Sequence, residues 1–260
     1  MAPEPTTDAP TPRSKRVRFG WVLEIIGVRA LTTAYDWARD QLVGSESEAF
    51  RHARQVIRAE RLLGIYHEET IQEWFLPYRA FISFWNIFYG SVHFVMPIVA
   101  LVWLYLKAPA RYLRWRNTLF VMLGLGLLGF WLYPLMPPRL LPASYGFVDT
   151  RLEYFGLGHA SRDTSEDNLY AAMPSLHIGW ATWIALSLWP LVRRWWAKAL
   201  LVAYPSAQLF CTVVTANHFF LDAVGGWAVL GLAYLLASAP TEWRHRRDAR
   251  ARPRSVTARP

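Results

Sequence analysis

The sequence has few cysteines, few lysines and no clustered carboxylates, and each shortage removes a class of protein. Cys211 is the single cysteine in 260 residues, so no internal disulfide can form and no cysteine-based metal site exists. No group of acidic residues has the spacing that holds Mg²⁺. His67-Glu68-Glu69 starts like a metalloprotease motif, but no second histidine follows at the needed distance, and the triplet reads as a solvated helix face. Residues 1–19 lack an apolar core, so no cleavable signal peptide is visible. Arginine outnumbers lysine 25 to 3, a bias that a GC-rich coding sequence imposes.

What is abundant is apolar. Hydrophobic residues make up 53% of the chain, with 14 Trp, 12 Tyr and 14 Phe. They gather in blocks long enough to cross a bilayer, which takes about 20 residues for ~30 Å of hydrocarbon. A net charge of +9 is compatible with nucleic acid or an anionic membrane surface, and the apolar blocks decide for the membrane, with no nucleic acid partner. The expected architecture is all-α: a polytopic membrane bundle of about six transmembrane helices with an additional interfacial amphipathic helix.

The six candidate spans are 21–43, 81–106, 117–135, 175–192, 196–214 and 219–237. The first is the most polar, carrying Glu24, Arg29, Asp36 and Arg39. Between the first two, residues 46–78 place Leu62, Leu63, Ile65, Tyr66, Ile71, Trp74 and Phe75 along one broad helical side. Residues 136–172 form a long loop rich in Pro, Gly and acids, a length that often marks function. A basic disordered tail at 1–19 and a basic cytoplasmic tail at 241–260 flank a membrane-embedded domain at 20–240.

Charge placement orients this layout. With the N-terminus in the cytoplasm, cytoplasmic segments hold 18 of the 28 basic residues, whereas the long loop holds only Arg139, Arg151 and Arg162. That asymmetry follows the positive-inside rule, with four arginines in 46–78 as the exception. The protein is therefore expected to be integral to the cell membrane.

Ionisable residues at span ends need a reason, because hydrocarbon disfavours them. His177 lies in Met173-Pro-Ser-Leu-His177, where the long loop enters the fourth span. His218 and Asp222 lie in Asn217-His-Phe-Phe-Leu-Asp222, where the sixth begins. Both histidines fall at one depth on the outer side. The i, i+4 spacing lets Asp222 accept from one imidazole nitrogen and leave the other as a nucleophile. Asn217 is expected to be an N-cap, placing His218 in a first turn whose dipole favours an anion. Pro174 suits a second helix start with free N–H groups at Ser175 and Leu176, and Arg139 can clamp a phosphate. Gly124, Gly126, Gly129, Gly225 and Gly226 read as helix-packing residues.

Pro174-Ser-Leu-His177 followed by His218-x-x-x-Asp222 resembles the type-2 phosphatidate phosphatase superfamily. The Leu before His177 is most similar to its inositol phosphorylceramide synthase branch, including bacterial relatives. The resemblance covers about residues 133–226. It implies a metal-independent lipid phosphatase or phosphotransferase without cofactor, with an extracytoplasmic site in the plasma membrane, acting on a lipid phosphate with water, a lipid alcohol or a sugar alcohol as acceptor. It further implies that His218 forms a phosphohistidine, Asp222 orients it, His177 exchanges protons with leaving group and acceptor, and Arg139 and Ser175 hold phosphate oxygens. Two departures stand out: Leu132 and Thr212 occupy positions where the phosphatases have a Lys and an Arg. Arg79 and Arg162 are the candidates to compensate.

Competing readings are weaker. A haem would suit two histidines at one depth, but these lie at helix entrances and Asp222 is better explained as an orienting partner. A transporter or flippase with a His/Asp proton relay calls for broken helices and polar groups at mid-membrane, whereas here they gather toward one face.

Overall fold

Apolar blocks satisfy their own backbone in hydrocarbon by forming helices. A computed structural model describes residues 14–42, 44–155 and 168–251, and these are all-helical, with no strand among them. In chain order the helices are α1 (Ser14–Gln41), α2 (Glu46–Leu63), α3 (Glu68–Phe75), α4 (Arg79–Lys107), α5 (Pro109–Leu132), α6 (Thr150–Phe155), α7 (Leu176–Leu188), α8 (Trp195–Val214) and α9 (Phe220–Ala251). Of the expected tails at 1–19 and 241–260, residues 1–13 and 252–260 fall outside the described residues. Their described parts continue α1 and α9 as helix.

Each expected span coincides with a helix, but only α4, α5, α8 and the Phe220–Ser238 part of α9 are long and apolar enough to cross a membrane. Phe84, Val95, Val99, Val102 and Trp103 on α4 are exposed, as a lipid-facing side requires. Helix α1 falls short through its charges, one of which is accounted for: Glu24 pairs with Arg116 and accepts from Tyr112 Oη at 2.8 Å, fastening α1 to α5. Helix α7 falls short through length. Its 13 residues span about 20 Å, against ~30 Å of hydrocarbon. Pro190 follows in a 3₁₀ turn and cannot prolong the helix. Helix α7 is buried on nearly all sides, packed on α4, α8 and α9, so its hydrophobicity reflects a central position.

The amphipathic stretch 46–78 is two helices instead of one, broken at Gly64, which takes φ 70°. Leu62, Leu63 and Trp74 are exposed, in keeping with an apolar outer side. The inner side is unexpectedly polar, and Glu68, read as solvated from sequence, is fully buried beside Glu60 and Gln72. Helix α2 is docked on the start of the long loop by His52 Nδ1 at 2.7 Å from the Pro134 carbonyl and by His52 stacking on Tyr133.

Two apolar cores meet at one plane. The larger joins Leu104, Trp115, Met122, Trp183 and Leu230, and reaches Leu176. The smaller joins Ala49, Ala53, Ile57, Leu135 and Phe147, and reaches Phe219. His177 follows Leu176 and His218 precedes Phe219, so each histidine adjoins one of the cores.

Close backbone approach fixes that plane. A Cβ on Gly226 would run into the Ser175 carbonyl, and one on Gly129 into the Pro174 ring. Gly126 and Gly225 likewise face the Met173–Leu176 segment, whereas a Cβ on Gly124 would meet nothing within 4 Å. Gly226→Ala is therefore expected to cost at least about 1–3 kcal/mol, the range for overpacking, because backbone must move. Gly124→Ala is expected to be close to neutral. Thermal unfolding in detergent separates the two.

Candidate active site

Helix α9 starts at Phe220, two residues later than His218, so Asn217 is not its N-cap and His218 precedes the first turn. The loop between α8 and α9 instead folds back on itself, with the Asn217 and His218 N–H groups both donating to the Thr212 carbonyl. Thr212, in the place of a phosphatase arginine, is thus a loop anchor. Ala216 takes φ 53°, and its carbonyl accepts from the Arg139 N–H at 2.8 Å.

His218 Nδ1 lies 3.1 Å from Asp222 Oδ2. The same oxygen accepts the Phe219 N–H at 3.0 Å, as a helix-capping carboxylate does. A carboxylate only accepts, so Nδ1 carries the proton and Nε2 keeps its lone pair. Nε2 is buried and has no hydrogen-bond partner among the described residues.

His177 faces His218 with ring centroids 5.6 Å apart and planes inclined at 56°. It is held between two rings of α4, Tyr89 at 4.0 Å and His93 at 3.7 Å. His93 in turn stacks on Trp180 at 4.4 Å. Sequence reading did not single out Tyr89 or His93. Both stand at helical spacing inside an apolar run, with Asn86 one turn earlier, and a histidine within such a run is itself a signal of function.

The two histidines, Arg139, Arg151 and Asn217 line one cavity of about 800 Å³. Arg139 is aimed by its neighbours: Nε donates to Asn217 Oδ1 at 3.0 Å and Nη1 to Asp149 Oδ2 at 3.1 Å. Asn217 is itself fixed, donating to Thr215 Oγ1 at 2.7 Å. Asp149 also accepts the Arg151 and Leu152 N–H groups, so one carboxylate positions Arg139 and the start of α6 together. Nη2 of Arg139 and the Arg151 side chain make no such bond among the described residues.

The remaining expected residues fall elsewhere. Ser175 is buried behind the cavity wall, its N–H donating to the Asp222 carbonyl at 2.9 Å and its Oγ without a partner. Arg79 is on the outside, donating to the Tyr154 carbonyl and stacked on that ring. Arg162 is outside the described residues. Arg151 lines the cavity beside Arg139, and Arg29 and Arg39 of α1 line it as well.

The two histidines and the guanidinium groups thus share one cavity in a bundle that includes membrane-length helices. A family model described as the PAP2 superfamily matches residues 54–236, and the chain belongs to that superfamily, whose members are lipid phosphatases and phosphotransferases. The chain is similar to the inositol phosphorylceramide synthase catalytic subunit aur1 of Schizosaccharomyces pombe, at 28% identity over 163 residues. That alignment covers 57% of this chain and 38% of the relative, so the chain spans well under two thirds of the relative's length. No solved structure matches.

Arg139→Lys removes the fork that meets Asn217 and Asp149 at once, and Asn217→Ala releases one tine of it. Both are expected to weaken inhibition of turnover by inorganic phosphate, Arg139→Lys by about tenfold or more, as loss of a charge-assisted hydrogen bond implies. Inhibition constants compared with wild type test this.

Proposed function

We propose that the chain is a lipid phosphatase or phosphotransferase working through a phosphohistidine on His218, at the extracytoplasmic face of the plasma membrane. The observation that carries this reading is the bare Nε2 of His218, with Nδ1 held by Asp222 and His177 across a 5.6 Å gap. Nε2 attacks phosphorus, the bond to the leaving oxygen breaks, and protonated His177 gives that oxygen its proton. His177, now neutral, removes a proton from the acceptor hydroxyl, whose oxygen attacks phosphorus and releases His218. Arg139 and Arg151 stabilise the charge on the non-bridging oxygens, so the step requires no metal. Asp222 keeps the tautomer and stabilises the imidazolium-like phosphohistidine.

A lipid substrate is supported by the cavity wall. Beyond the histidines it continues along Ile98, Leu101, Leu119, Phe120 and Leu123, an apolar lining suited to hydrocarbon next to a cationic end suited to phosphate. Extracytoplasmic placement is supported by topology: His177 and His218 stand at the bundle end opposite the basic 107–116 and 193–198 segments. Similarity to a synthase and the loss of two phosphatase cations favour transfer from a phosphodiester to a lipid or sugar hydroxyl over hydrolysis of a phosphomonoester.

Purified protein incubated with labelled phospholipids and polyprenyl phosphates in EDTA is expected to yield an acid-labile phosphoenzyme. His218→Ala is expected to abolish trapping, and Asp222→Asn to slow turnover about a thousandfold or more, as tautomer loss does in related catalytic triads. Turnover that collapses in EDTA, or survives His218→Ala, contradicts the reading.

A further inference from the structure

Helix α9 begins with three N–H groups that need acceptors, and each finds a carboxylate. Asp222 takes Phe219 at 3.0 Å, Glu68 of α3 takes Phe220 at 3.0 Å, and Glu60 of α2 takes Leu221 at 2.7 Å. Glu60 and Glu68 both have 0% exposure. The second oxygen of Glu68 accepts the His67 N–H at 3.0 Å. The second oxygen of Glu60 is buried, and its neighbour is the Glu68 carboxylate.

Two bare carboxylates cannot share a dry site. A single proton on the orphaned Glu60 oxygen resolves the conflict, because the resulting O–H donates to Glu68 and leaves every other bond in place. The pair then carries one negative charge beside the positive end of α9, where the helix dipole favours it. We propose that Glu60 and Glu68 form a carboxyl pair sharing one proton, which positions the start of α9 and, through Asp222, holds the His218 imidazole for reaction. This rests on the reading of His218 as nucleophile. Neither residue reaches the cavity, so both are positioning residues.

The groups that face Glu60 are Glu68 on α3 and Asp222 on α9, and Glu68 is faced in turn by Tyr66. Burial, then the Glu68 carboxylate, push the Glu60 carboxyl up to about 9 from its ordinary 4.5. Between these values the folded chain keeps a proton that the unfolded chain has released. The contribution of Glu60 to stability is thus largest below 4.5 and declines as pH rises toward about 9.

Glu60→Gln reproduces the protonated form, since its amide oxygen accepts from Leu221 and its NH₂ donates to Glu68. It is expected to turn over labelled phospholipid at close to the wild-type rate, to hold that rate at alkaline pH where wild type falls, and to flatten the decline of Tm with pH. Glu60→Ala and Glu68→Ala are expected to lower kcat about tenfold or more at little-changed KM, as an orphaned buried N–H implies. Infrared spectra of wild type are expected to carry a protonated-carboxyl band that Glu60→Gln removes. The Tm and infrared readouts need no turnover, so they decide on the pair even if no lipid phosphate proves to be a substrate. The proposal is overturned if Glu60→Ala folds and matches wild type in kcat, if Glu60→Gln is as impaired as Glu60→Ala, or if Glu60→Gln leaves both the band and the Tm slope unchanged.

Discussion

One backbone hydrogen bond, from the Ser175 N–H to the Asp222 carbonyl, ties the start of α7 to the start of α9. The site depends on it, because His177 and His218 stand at the starts of separate helices and face each other only if those starts stay in register. The bond is possible because Gly226 lets the Ser175 backbone come against α9, and Gly129 lets Pro174 come against α5. Small residues here set the distance between the two imidazoles, on which the proposed pairing of nucleophile and acid rests.

Electrostatics follows from the same junction. A helix N-terminus attracts anions, and a phosphate at the head of α9 is an attractive arrangement on paper. The protein fills that position with its own carboxylates instead, so α9 is fixed but offers no open N–H to a ligand. Guanidinium groups line the cavity from elsewhere, among them Arg139 of the long loop, held by Asn217 and Asp149, and Arg151 of α6. Thr212 gives its carbonyl to the loop that carries His218.

The pairing of His218 with Asp222 and the turn before His177 were legible because their signals are local. The four-residue step from His218 to Asp222 and the proline turn before His177 are each readable within a few residues, and the bonds found obey that spacing. Long-range partners were illegible. Glu60 and Glu68 sit in a stretch whose mixture of Arg and Glu looks like a solvated face, yet their acceptor roles join residues 161 and 152 positions away. The start of α9 was misplaced because Asn217 is a good capping residue by type, whereas a local bond to Thr215 and a tertiary one from Arg139 claim its side chain. Helix α7 reads as a span because a helix apolar all round looks the same whether it meets lipid or protein; its 13 residues separate the two. His93 and Tyr89 were readable in principle, as polar positions one helical turn apart within an apolar run.

In the proposed chemistry His218 Nε2 and His177 act on one phosphorus from opposite sides of a single gap. An experimental structure of the full chain with orthovanadate, which takes the five-coordinate form of a phosphoryl group in flight, tests it most directly. The account predicts vanadium bonded to His218 Nε2, an apical oxygen within hydrogen-bond reach of His177, and equatorial oxygens on Arg139 and Arg151. Vanadate bound away from His218, or imidazoles too far apart to share it, would contradict the account.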